Sequence, residues 1–366
     1  MIRFFIILNI FPLLIFSKLD DKWINIFTWE SYVTKYDLIM VNKLLNKQGY
    51  HYRVRLIKPW AEGPEQMFDI IRRKNVDISF LTLNYIKMQE KKLEKLIQPI
   101  EINSPRLKNY KFLNKNLIKL KMGMIKSKIL YIPWGGGVYG IWANKNKIKD
   151  EDLPTSLVDL LDKRWHKKIS LTRGQIQPNI ALVMLMLKLP PFYLNDISSD
   201  RKKLLHESRH DGEIQSKLNK LYNQVKLFWS DTPKFDKSLL LVASYGPGVF
   251  SENAQGANWQ LIKFKEGNTI WLDTINFHKK LSGAKLEAAE IFANYFISKA
   301  VQARITTELG MIPASTLVSN SSLLNHDSNF FWPPYSKQAD NIMNWMSYIA
   351  MKNRKRDNSS EPPDYP

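Results

Sequence analysis

Trp23-Ile24-Asn25-Ile26-Phe27-Thr28, with the amphipathic segment 36–46 and the alternating segment 51–57 behind it, sets the class of this chain. The first and third pieces have the apolar period of two that a strand with a covered face requires. Between them Leu38, Val41, Leu44 and Leu45 recur at helical spacing and line one side of a helix. A helical pattern over 64–74 and a short apolar run over 76–81 complete a βαβαβ order. Strands separated by helices cannot pair as tight hairpins, so they pair in parallel, with the helices on the faces of the sheet. The expected class is α/β.

The same reading continues outward. Strands are expected at 128–132, 138–144, 168–171, 226–229, 238–243, 259–264 and 269–277. Helices are expected at 176–187, 200–225, 285–297, 299–308 and 336–351. Between the strands at 128–132 and 138–144 stands Pro133-Trp134-Gly135-Gly136-Gly137. A glycine loop cradles phosphate when it enters a helix N-terminus, but this one enters the strand pattern Val138-Tyr139-Gly140-Ile141-Trp142 and no Lys-Ser/Thr follows it. A backbone crossing between two lobes, where glycine permits close approach, suits it better.

Length and composition agree with two globular units. The chain has 366 residues, 44% hydrophobic and 12% aromatic, enough for a sizeable core and for about two domains. Its formal charge of +20 comes from 54 Lys+Arg against 34 Asp+Glu. The lysines are scattered, and the excess of Lys, Asn and Ile is what AT-rich codons give. No Arg-rich block or nucleic-acid motif accompanies the charge, so no nucleic-acid partner is expected. The absence of cysteine removes disulfides, thiolate metal sites, thiol nucleophiles and a bacterial lipid anchor.

Met1-Ile2-Arg3, an apolar run to Phe16 and the small Ser17 read as a cleaved signal peptide of residues 1–17. No later run approaches a membrane span. The mature chain is therefore expected to be soluble and periplasmic, and the polar tail 353–366 is expected to be disordered.

His206-Glu207-Ser208-Arg209-His210 spells H-E-x-x-H, which on one helix would put two zinc ligands and a general base on a shared face. An exported zinc-dependent hydrolase using His206, Glu207 and His210 is thus the alternative to a binding role. Against it, Asp211-Gly212 interrupts the helix, and no third ligand stands at the spacing such an enzyme requires. No metal and no cofactor are expected.

Five segments carry a family resemblance. They are Thr28-Trp29-Glu30-Ser31-Tyr32; Tyr131-Ile132-Pro133-Trp134-Gly135 with Gly140-Ile141-Trp142-Ala143-Asn144; Thr155-Ser156-Leu157-Val158-Asp159-Leu160-Leu161; Trp271-Leu272-Asp273-Thr274; and 289–313. In this order the chain resembles the extracellular solute-binding proteins of ABC importers, most of all their spermidine/putrescine-binding branch.

The resemblance implies a two-lobed periplasmic-binding-protein-like fold (type II), each lobe a mostly parallel sheet flanked by helices. Lobe 1 would hold 20–135 and 272–320, lobe 2 the stretches 136–271 and 321–352. It also implies a monomeric, non-enzymatic receptor that closes on a small-molecule ligand and delivers it to an ABC permease in the inner membrane.

By the same resemblance, Trp29 and Tyr32 would enclose an alkyl-ammonium chain, Thr82 would supply a hydroxyl, and Trp271 with Asp273 would stack on and neutralise an amine. Glu30, Ser31, Trp134, Arg173 and Tyr245 complete the expected cleft. Three positions depart from the polyamine pattern. The acid of the first motif is Glu30, one place before Ser31; Arg173-Gly174-Gln175-Ile176-Gln177 replaces a carboxylate-bearing stretch; and Ser244-Tyr245-Gly246 stands where a Trp is usual. An arginine in that half suits a zwitterion or carboxylate better than a second ammonium. Each residue also has a plainer use: Trp29 and Trp271 in a core, Asp273 capping a turn, Arg173 at a rim.

Overall fold

The computed structural model describes residues 22–354 except 74, 89, 231 and 319–329. The expected leader lies outside the described residues, as does the tail beyond Arg354. The chain opens with β1 (Trp23–Phe27), α1 (Lys35–Lys47), β2 (Arg53–Leu56), α2 (Pro64–Arg73) and β3 (Ile78–Thr82). Both β2 and β3 pair in parallel with β1, as the alternating segments predict. Helix α1 starts at a capping box: the Asp37 amide donates to the Thr34 hydroxyl, and the Asp37 carboxylate accepts from the Thr34 amide. Two otherwise orphaned donors are satisfied there.

After β3 come α3 (Tyr85–Met88), α4 (Glu90–Leu96), the hairpin β4 (Met124–Ile125) and β5 (Lys128–Ile129), and the long β6 (Ile132–Asn144). The chain continues through β7 (Ile169–Thr172), α5 (Gln177–Met186), α6 (Tyr193–Asp196), α7 (Arg201–Glu207), α8 (Glu213–Gln224), β8 (Val225–Trp229) and β9 (Leu241–Ser244). It returns through α9 (Pro247–Ala254), β10 (Trp259–Leu261), β11 (Asn268–Phe277), α10 (Gly283–Phe296), α11 (Lys299–Leu309) and β12 (Ile312–Pro313). It ends on β13 (Phe330–Phe331) and α12 (Lys337–Asn353).

Strands follow the order β2-β1-β3-β11-β6-β9-β7-β8 in one hydrogen-bonded sheet. The outer pairs are parallel, while β11 runs antiparallel to β3 and β6, and β6 to β9. Two hydrophobic cores flank this centre. One gathers residues from 24–134 and 271–314, the other from 139–264 and 339–350. Strand β6 passes from one to the other: its first half pairs with β11 and its second half with β9 and β10. The architecture is that of a type II two-lobed binding protein, with β6 as the strand shared by the two cores.

The strands expected at 128–132 and 138–144 do not match the single continuous β6. Gly135, Gly136 and Gly137 show no apolar alternation, yet their backbones pair with Asp273, Leu272 and Trp271. A Cβ on Gly136 would lie 2.4 Å from the Trp271 carbonyl oxygen, so a missing side chain permits this pairing.

The helix expected at 200–225 is also divided. It ends at Glu207 with Ser208 as its cap, and α8 begins after Gly212. At the far end, α12 runs to Asn353, and the Arg354 guanidinium donates to the carbonyls of Val225 and Lys226. Asn353 and Arg354, expected in the tail, are thus the end of α12 and its cap.

Candidate functional site

The site grows from the centre of the sheet. Asp273 of β11 lies directly across from Thr82 of β3, and cross-strand partners share a face. The Thr82 hydroxyl donates to Asp273 Oδ1 at 2.6 Å, and the Tyr32 hydroxyl donates to Oδ2 at 2.5 Å. Asp273 is only 3% exposed. No Lys or Arg among the described residues pairs with it; its hydrogen-bonding partners are these two neutral hydroxyls. Burial pushes its carboxyl up to about 6, with the Thr82 and Tyr32 hydrogen bonds pulling the other way. A carboxylate in such a place lacks a counter-charge.

Tyr32 is positioned by three other contacts. Its ring packs at 4.4 Å on Trp134 and edge-on to Phe80. Its carbonyl accepts from the Arg304 guanidinium, which also pairs with Asp37 at 2.9 Å. Ser31 before it adopts the left-handed backbone at φ 66, ending the turn that separates β1 from the Tyr32 ring. Glu30 and Ser31 sit in this turn and are exposed. Trp29 is half-buried at the end of β1, with its indole Nε1 enclosed and unbonded.

Two residues before Asp273 on the same face of β11 is Trp271. Its ring lies against Gly137 of β6, where an added Cβ would come within 2.7 Å of Cζ2. The Trp271 Nε1 donates to the Tyr245 carbonyl at 3.1 Å. Tyr245 follows β9 and so brings the second lobe to the first. Its ring contacts Tyr139 at 4.8 Å, Trp229 at 6.2 Å and Trp271 at 6.3 Å, and its hydroxyl donates to Gln175 Oε1. Burial holds this phenol well above its ordinary value. Arg173, just past β7, is exposed; its Nε donates to the Ser230 hydroxyl at 2.9 Å.

The structure thus unites Tyr32, Thr82, Trp271, Asp273 and Tyr245 at the junction of the lobes. Trp134 needs correction. It is fully buried among Tyr32, Phe80 and Phe296 and belongs to the first core, supporting Tyr32 from behind. The cause is a bulge: Asp273 pairs with Gly135 and Thr274 with Pro133, leaving Trp134 as the extra residue. Gln302 Nε2 donates to its freed carbonyl.

Tyr85 was missed by sequence reasoning. It is buried, and burial first and the nearby Asp273 charge second raise its hydroxyl, with Thr82 pulling the other way. Its place three residues after Thr82 was the available signal.

The H-E-x-x-H reading fails on geometry. His206 and Glu207 end α7, Ser208 caps it, and His210 lies beyond, so the two histidines share no helical face. His206 instead contacts Arg209. Among the described residues no three His, Cys, Asp or Glu side chains are grouped to hold a metal.

Solved structures with this fold are numerous. A putative spermidine/putrescine ABC transporter protein from Listeria monocytogenes is 16% identical, with a TM-score of 0.69 over 91% of this chain and 98% of its own. The spermidine/putrescine substrate-binding protein PotD from Streptococcus pneumoniae is 14% identical, with the same TM-score over 91% of this chain and 99% of its own. The binding protein MotA from A. tumefaciens, solved with glucopine, is 14% identical at a TM-score of 0.59, over 91% of this chain and 99% of its own. No match was found among curated proteins. The family model described as bacterial extracellular solute-binding protein matches residues 81–341, and no helix of the described residues is long and apolar enough to cross a membrane. The chain belongs to the bacterial extracellular solute-binding protein family.

Proposed function

We propose that this protein captures a small amine-bearing solute between its lobes and delivers it to an ABC permease, acting in the periplasm after removal of its leader. It does so as a monomer and catalyses no reaction. The observation that carries the reading is Asp273: a buried carboxyl with two neutral donors and, among the described residues, no cationic partner. A buried ammonium requires such a group, and the carboxylate gains as much from the ammonium. Trp271 beside it, with Trp29 and Tyr245, offers ring faces that attract a cation by about 0.5–2 kcal/mol each. Lobe closure about β6 and β11 would bury the solute, in the hinged manner known for periplasmic binding proteins. Arg173 is available for a carboxylate on an amino-acid-like solute.

Isothermal titration against polyamines, amino acids and small organic acids tests this. The expected result is an amine ligand whose affinity drops at least 100-fold in Asp273→Asn. A purely anionic best ligand, bound equally well by that variant, would refute it.

A further inference from the structure

A cavity of about 190 Å³ is lined by Leu83, Leu120, Met122, Trp271, Leu272 and Trp332, chain neighbours of Asp273 and Thr82 among them, while neither of those two lines it. Its wall meets the chain next to Asp273 at two points of the β3–β11 pairing. On β11 it begins at Trp271, two residues from Asp273 on the same face, a separation of about 7 Å. On the neighbouring strand it begins at Leu83, immediately after the Thr82 that holds Asp273 Oδ1. Its outer wall is the segment Trp332-Pro333-Pro334. β13 anchors that segment by pairing with Asn268 and Thr269 of β11. From the second lobe, the Gln177 side-chain amide donates to the Pro334 carbonyl at 3.0 Å.

We infer that this cavity is the specificity subsite of the proposed amine receptor and that it takes a single ring-sized apolar group, so the solute is a monoamine with an apolar body rather than a di- or polyamine. The inference rests on the amine reading above and adds what occupies the far end. A cavity of about 150 Å³ with apolar walls takes up benzene, so this volume suits one ring or a short branched chain. No wall residue is acidic, and the ionisable one among them is Lys121. A second ammonium placed here would lose its water and meet a lysine; an apolar group would meet Trp271, Trp332, Met122 and Leu83. An ammonium at Asp273 directs its substituent along the Trp271 face into this space.

Titration of the full chain with 2-phenylethylamine, putrescine and spermidine decides the matter. Phenylethylamine should bind at least tenfold tighter than either polyamine. Trp332→Ala, which opens the wall, should weaken it at least tenfold while leaving putrescine within twofold. Met122→Trp fills the cavity from the opposite side and should do the same, which guards against a fold defect in the first variant. Putrescine or spermidine binding as tightly as phenylethylamine, with Asp273 dependence, would overturn the inference and leave the amine reading standing. Unchanged phenylethylamine affinity in both variants would also overturn it. No binding of any amine would remove both.

Discussion

Replacing Asp273 with Asn should stabilise the empty protein at neutral pH while abolishing capture. The carboxyl is held at about 6 instead of 3.8, and each unit corresponds to about 1.4 kcal/mol. Keeping it ionised above that value costs the fold about 3 kcal/mol. The sign follows from the raised folded value. Protonation favours the folded state fully below about pH 4, and the advantage is lost as pH rises through 6.

Asparagine carries no charge, so the variant escapes this loss. It offers one acceptor where Tyr32 and Thr82 need two, which takes back about 1–2 kcal/mol at every pH. The variant should therefore melt below wild type at pH 4.5 and above it at pH 7.5, a relative swing of roughly 5 °C for a chain of this size. Differential scanning calorimetry of both proteins across that range reads the crossing directly. A difference in Tm that stays constant with pH, or that favours wild type more at pH 7.5 than at 4.5, would show that Asp273 is not a strained, unpaired acid.

Three further outcomes are expected. Amine affinity should weaken about tenfold between pH 7.5 and pH 5, because the ligand must displace a proton from Asp273; calorimetry in buffers of different ionisation enthalpy should register that proton's release near pH 6. Gly137→Ala, whose Cβ would meet the Trp271 ring at 2.7 Å, should weaken amine binding at least tenfold, read by titration, and lower Tm. His206→Ala should leave Tm unchanged with zinc or with chelator, since the two histidines lie on different structural elements; a zinc-dependent Tm lost in this variant would revive the hydrolase reading.

Much of the sheet could be read from local pattern. The alternation in 23–28 and 51–57 and the apolar run 76–81 gave strands because each has a buried face and a turn at its end. Trp271 and Asp273 were expected together from the family resemblance, and the period of two puts them on one face. Reading failed where pairing is made by distant partners. The three glycines of β6 carry no side chain to alternate, so nothing local says that they continue the ladder. Trp134 looked like a cleft residue because a bulge is invisible without the opposing strand. Glu30 and Ser31 were expected in the cleft from the resemblance, but the chain has already left β1 there and turns, with both residues exposed and Ser31 at positive φ. Tyr85 and Trp332 reach the site only through the β3–β11 and β11–β13 pairings, links spanning scores to hundreds of residues. The fold class depends on short-range periodicity; the composition of the cleft depends on long-range register.

The passage of β6 from the first core to the second, with β11 paired along it, also bears on how the chain assembles. The second core draws most of its residues from one uninterrupted stretch, 139–264, and can consolidate from contacts that are comparatively near in sequence. The first is an incomplete half until β11 arrives to pair with β3, nearly two hundred residues later. Closing so wide a loop is slow in proportion to the entropy it removes. The carboxylate proposed to grip the solute sits on β11, so its bond to Thr82 can form only once that wide loop has closed.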